Sequence, residues 1–164
     1  MLKMAVVYHS ESGNTRKMAE LVAEGAREYA ESTLMAWDQL DEAAVAEAHI
    51  VAFGAPTYMG SVSWQMKKCL DTFPVNVAGK LGGVFASAKY YGGGAETAEL
   101  TMVKALLTRA MLVYSGGVGG GMPATHFGAV SLGCPEGSDA ERCLKFGKAL
   151  GAKAAELFGD GSTQ

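Results

Sequence analysis

The sequence predicts an α/β fold, an open doubly wound parallel sheet of five strands with helices on both faces. Three observations predict it. Apolar runs of strand length alternate with segments whose apolar residues recur at helical spacing. The strand runs are continuously apolar, as in a sheet covered on both sides. The chain has 164 residues, too few for an eight-stranded barrel, which takes about 250.

The elements follow in order. The first strand is the apolar run Leu2–Tyr8, closed by the polar turn HSESGN. In residues 15–29, Met18, Leu21, Val22, Gly25, Ala26 and Tyr29 fall at helical spacing. Residues 33–37 form a short second strand with Trp37 as a core residue, and residues 39–48 a weak, Ala-rich helix. Residues 49–55 form the third strand, expected to stop at Gly54-Ala55-Pro56 because proline cannot donate to a ladder. Met66, Leu70 and Phe73 mark a helix over 63–73, with Ser61 or Ser63 as its N-cap.

Residues 83–88 are the fourth strand, and residues 96–110 a helix with Leu100, Val103, Leu106 and Leu107 on one face. A fifth strand opens at 111–114, is interrupted by the glycine-rich stretch 116–121 and resumes over 129–132. Ser138 caps a last helix that runs to Phe158. One domain therefore spans 1–158, and residues 159–164 read as a short flexible tail.

Composition removes several classes of function. With 49% hydrophobic and 19% charged residues the chain can bury a core, which excludes disorder. Fourteen basic against seventeen acidic residues leave a net charge of −3, with no basic footprint for nucleic acid. No apolar stretch is long enough for a membrane span and no secretory signal opens the chain, so a cytoplasmic location is expected. Cys69, Cys134 and Cys143 lack CxxC spacing and read as buried or inert thiols. His9, His49 and His126 have no second ligand at i+3 or i+4, so no metal site is expected.

In doubly wound sheets ligands bind beyond the carboxyl ends of the strands, which directs attention to three loops. Ser10, Ser12, Gly13, Asn14 and Thr15 place small hydrogen-bonding groups between a strand and the first turn of a helix. A helix start exposes unpaired N–H groups and partial positive charge, so such a turn holds a phosphate without a lysine. Ordinary capping by Ser12, Asn14 or Thr15 accounts for only part of this set. The loop has neither GxxxxGKS/T nor GxGxxG. Pro56, Thr57, Tyr58, Met59 and Gly60 leave the third strand, and Ser87, Tyr91, Gly92 and Gly93 leave the fourth. Aromatic faces mixed with close-approaching backbone suit a flat aromatic ligand.

HSESGNTRKMAE resembles the phosphate loop of flavodoxin-like proteins. GAPTYMGSVSWQMKKCLDTF is similar to the GTPTRFG-type segment and following helix of the WrbA-type NAD(P)H:quinone oxidoreductases, and HFGAVSLG and ERCLKFGKALG resemble that family's closing strand and last helix. The resemblance implies a flavodoxin-like sheet of order 2-1-3-4-5 and FMN as cofactor. It also implies roles for the loops. Ser10, Ser12, Gly13, Asn14 and Thr15 would hold the FMN phosphate, Pro56 to Gly60 would border the ribityl chain and ring, and Ser87, Tyr91, Gly92 and Gly93 would close the other side. Read from position alone, His126 is either a plain loop histidine or one near the ring or a subunit boundary, Trp64 either a packing residue or one flanking the flavin or a partner subunit, His9 a packed or supporting residue before the phosphate loop, and His49 a surface residue.

Tyr58 stands where those reductases place an arginine, Met59 replaces a phenylalanine, and residues 71–82 are shorter than their excursion. No Ser/His/Asp set or isolated carboxylate pair supports hydrolysis, so no catalytic side chain is expected beside the flavin. Two readings follow: an oxidoreductase using nicotinamide and quinone-like small molecules, a dimer or tetramer by resemblance, or a one-electron carrier between redox protein partners. A phospho-receiver reading fails, because Tyr8-His9 and Phe53-Gly54 occupy the strand ends where it needs acids.

Overall fold

Seven strands and five helices follow one another in a computed structural model that describes residues 1–159; of the expected tail, residues 160–164 lie outside them. Strand β1 (Leu2–Tyr8) leads through a polar turn into α1 (Asn14–Ala26), then β2 (Ala30–Ala36), α2 (Glu42–Glu47) and β3 (Ile50–Tyr58). A two-residue strand β4 (Ser61–Val62) precedes α3 (Trp64–Asp71), β5 (Leu81–Ala88) and α4 (Ala95–Thr108). The chain closes with β6 (Leu112–Val113), a short turn of 3₁₀ helix, β7 (Ala129–Leu132) and α5 (Gly137–Phe158).

The parallel order is β2-β1-β3-β5-β6, with β7 also parallel to β5. β6 pairs with Leu81 and Gly82, whereas β7 pairs with residues 85–88, so the two are halves of the expected fifth strand. The expected order is therefore present, with its last strand divided and one antiparallel hairpin, β3–β4, added.

Alternate strand residues face opposite layers. Ala5, Val7, Val51 and Phe53 pack with Met66 and Leu70 of α3 and Met102 and Leu106 of α4. Met4, Val6, Ile50 and Ala52 pack with Met18 and Val22 of α1 and Phe146 and Leu150 of α5. Helices α1 and α5 approach backbone to backbone: a Cβ on Gly25 would lie 2.0 Å from the Leu144 carbonyl oxygen, and one on Gly147 would lie 1.9 Å from that of Val22. Any side chain at either place forces the two helices apart.

Several boundaries differ from expectation. β2 begins three residues early because, as an edge strand, it accepts exposed Glu31 and Thr33 on β1's register. Trp37 lies just beyond β2, only partly buried. α1 ends at Ala26, and α2 is confined to residues 42–47 with Asp41 capping Ala44.

β3 runs on through Pro56 to Tyr58. The Gly54 carbonyl accepts from His9 N–H at β1's end, and Pro56, two residues later, faces the same side where β1 has already stopped. The missing N–H of proline therefore interrupts no ladder bond, while its carbonyl accepts from Ser63 N–H at 3.2 Å. Ser63, not Ser61, is the N-cap of α3. Ser138 is inside the first turn of α5, whose N-cap is Glu136, without a side-chain cap.

Candidate functional site

The carboxyl ends of β1, β3 and β5 open onto a cleft of about 310 Å³. Its floor begins at the start of α1. Gly13 takes the left-handed conformation (φ 92°), for which a side chain is unfavourable, and aims the first turn of the helix at the cleft. No side chain caps that turn and it carries no acidic residue. Its leading amides are thus free for an anion, and the helix dipole favours one. Ser10 Oγ accepts from Gly13 N–H at 3.2 Å, which closes the turn on itself.

Ser10, Ser12, Asn14 and Thr15 line one side of this cleft, and Pro56, Thr57 and Tyr58 line another, with Ser87 at the end of β5. Thr15 is 1% exposed. Its hydroxyl lies 2.8 Å from that of Ser87, which joins the α1 turn to the β5 end. Thr57 Oγ1 is buried with no hydrogen-bond partner in the protein. The Tyr58 hydroxyl is held above its ordinary pKa, first by burial and then by the nearby Glu11 carboxylate.

The remaining expected residues lie around this cleft. Met59 (φ 48°) and Gly60 (φ 77°) make the tip of the β3–β4 hairpin, with the Met59 side chain wholly in solvent. Gly60 packs against Gly94, the left-handed residue that starts α4. Tyr91, Gly92 and Gly93 line a neighbouring cavity of about 270 Å³, which meets the cleft at Ala88. That second cavity is walled by Glu96 of α4 and by Ser138, Asp139 and Arg142 of α5. Arg142 is fixed by bonds of 3.1 Å to the carbonyls of Ala124 and Val130 and by an ion pair with Asp139.

Four cleft residues were missed: Glu11, Ala88, Lys89 and Gly133. Glu11 sits within the hydroxyl-rich turn and Lys89 within the loop after β5, both already in view. Gly133 follows β7, where only the convergence of parallel strand ends signals it; its N–H donates to the Ala88 carbonyl at 2.9 Å.

A third cavity, about 330 Å³, lies across the phosphate-type turn and is lined by His9, Trp37, Trp64 and Gln65. His9 is packed behind the loop as expected, 3% exposed. Trp64 is exposed and stands edge-on to Trp37. His49 is partly buried, its Nδ1 accepting from Lys3 N–H. His126 is exposed beside Phe127, away from all of these cavities. Cys69 and Cys143 are buried, whereas Cys134 is exposed, because the turn after β7 carries it outward. Among the described residues no group of metal-ligating side chains gathers, and no helix is long and apolar enough to cross a membrane.

Residues 6–109 match the sequence profile of the family described as Flavodoxin. The chain is 36% identical to a flavodoxin of Clostridium saccharobutylicum, over 96% of this chain and all of that one. It is 28% identical to an NAD(P)H dehydrogenase (quinone) of Archaeoglobus fulgidus over 96% and 97% of the two chains. The crystal structure of a flavodoxin, WrbA-like protein from Agrobacterium tumefaciens superposes with a TM-score of 0.81 at 27% identity, covering 95% of this chain and 99% of that one.

Proposed function

The chain belongs to the flavodoxin family, a family of FMN-binding redox proteins, and on that premise we propose that it carries single electrons between protein partners with FMN seated in the β1–β3–β5 cleft. The residues present fit the cofactor. The uncapped, acid-free start of α1 suits a phosphate, and the orphaned Thr57 hydroxyl is a group that a polar ligand in the cleft would satisfy. In this reading Ser10, Ser12, Gly13, Asn14 and Thr15 hold the phosphate. Pro56, Thr57 and Tyr58 border the ribityl chain and ring, with Met59 and Gly60 at the hairpin tip. Ser87 braces Thr15, and Tyr91, Gly92 and Gly93 close the side nearest α4. The flavin, when bound, supplies the redox chemistry, while the protein supplies position and electrostatics.

The observation that carries the shuttle reading is the rim. Tyr58, Met59, Tyr90 and Tyr91 are exposed side by side with the cleft, an apolar margin open to a docking protein. Relatives point the same way: the Archaeoglobus alignment runs over 196 positions against 164 residues here, so that dehydrogenase carries segments this chain lacks.

A second reading, an NAD(P)H-dependent oxidoreductase reducing quinone-like acceptors, has its own support in the cavity beside Ala88, where Tyr91 and the Arg142–Asp139 pair give a small molecule aromatic and polar walls. Steady-state assay separates the two. Flavin-loaded protein mixed with NADH or NADPH and a quinone turns over no nicotinamide if it is a shuttle; sustained oxidation transfers the assignment to the enzyme.

A further inference from the structure

Glu11 stands on the ridge between two cavities, lining both the cleft and the tryptophan-walled cavity beyond it. It is the one carboxylate lining the cleft among the described residues, and it sits in the turn that would hold a dianionic phosphate. Its oxygen Oε1 is nonetheless held away from that seat. His9 Nε2 lies 3.1 Å from it and Gln65 Nε2 donates to it at 3.2 Å. Both partners line the outer cavity and not the cleft.

His9 is itself fixed on every side. Its N–H is bonded to the Gly54 carbonyl, and its ring stands edge-on to Trp37 and Tyr58 at 6.3 and 5.9 Å. Nδ1 lies 2.8 Å from Ser63 Oγ, which also accepts from Met66 N–H at the start of α3. The Glu11 carboxylate only accepts, so Nε2 carries the ring hydrogen and donates to it, and Nδ1 of the neutral ring accepts from the Ser63 hydroxyl.

From this we infer that His9 is a positioning residue for phosphate binding: it draws the Glu11 carboxylate to the outer side of the turn and keeps its charge off the phosphate seat. The inference rests on the cofactor reading above. Without His9 only the Gln65 amide holds Oε1; the exposed Glu11 side chain then swings toward the phosphate, and like charges brought a few ångströms closer near a protein surface weaken binding by roughly tenfold.

Flavin-free protein titrated with FMN and with riboflavin, which lacks the phosphate, tests this. His9→Asn retains a group at the Nδ1 position for Ser63 but cannot reach Glu11; it is expected to lower the FMN-to-riboflavin affinity ratio about tenfold. His9→Gln, which places an N–H near the Nε2 position, keeps the ratio near that of the unaltered protein. Adding Glu11→Gln to His9→Asn restores it. Equal loss of FMN and riboflavin affinity in His9→Asn, or failure of Glu11→Gln to restore the ratio, overturns the inference while leaving the cofactor reading intact. If the unaltered chain takes up no FMN, both fall together.

Discussion

The hydroxyls of Thr15 and Ser87, 72 residues apart in the chain, meet at 2.8 Å at the bottom of the cleft. The contact ties the first turn of α1 to the carboxyl end of β5, and each side chain is nearly inaccessible to water. Position and polarity of the phosphate-type turn thus depend on a strand from another part of the sequence.

Replacing Thr15 by Val keeps the volume and deletes the hydroxyl. The Ser87 hydroxyl loses its partner in a buried place, which costs about 1–3 kcal/mol of stability. FMN affinity is expected to fall by roughly tenfold, the equivalent of about 1.4 kcal/mol. Denaturant unfolding of the flavin-free protein and a fluorescence titration with FMN check the two effects separately.

Gly94 joins the hairpin tip to α4. At φ 96° an L side chain is strained, and its Cβ would lie 2.5 Å from the Gly60 carbonyl oxygen, with rigid backbone on both sides. Gly94→Ala is expected to cost about 1–3 kcal/mol and to separate the two loops that flank the cleft, which speeds FMN release. Stopped-flow dissociation reads that rate, with Gly79→Ala, remote from the cleft, as a control for left-handed strain where a Cβ meets nothing.

Glu99 of α4 is 1% exposed and one of its oxygens has no partner. Burial, and to a lesser degree Glu96, push its pKa from 4.5 up to about 8, against the pull of Arg142. The folded state therefore holds a proton that the unfolded chain has released. Between those two values the unfolded state binds fewer protons, so stability falls as pH rises, by at most about 1.4 kcal/mol per pH unit, and levels off above the folded value. Glu99→Gln removes this slope and raises the melting temperature at pH 8 more than at pH 5. A melting curve taken across that range shows the difference.

The three cysteines differ in access. Burial raises the thiols of Cys69 and Cys143 to about 11 and about 12, which keeps them protonated and shielded. Cys134 is exposed. A thiol reagent is expected to modify one cysteine in the native protein and three in denaturant.

Strands bounded by a sharp change of polarity were legible in sequence: Leu2–Tyr8 before HSESGN and Ala129–Leu132 after the glycine-rich stretch have the same limits in both views. Where the boundary depends on a neighbour, it was not. β2 starts on Ala30 and the polar Glu31 and Ser32 because β1 offers the register, and β3 passes Pro56 because β1 has ended beside it. The hydroxyls of Ser10, Ser12 and Thr15 were visible because one short turn contains them. The Glu11–His9 hold, the Gly60–Gly94 contact and the buried Glu99 were not, since each joins elements whose approach is set only by packing.

The central claim concerns where the phosphate of FMN is held, and a crystal structure of the flavin-loaded protein measures it directly. The account predicts the phosphorus at the amino end of α1, within hydrogen-bonding reach of the backbone amides of residues 12–15 and of the Thr15 hydroxyl. A phosphate seated in the Arg142 cavity, or a cleft closed over by its own side chains with the flavin bound elsewhere, contradicts it.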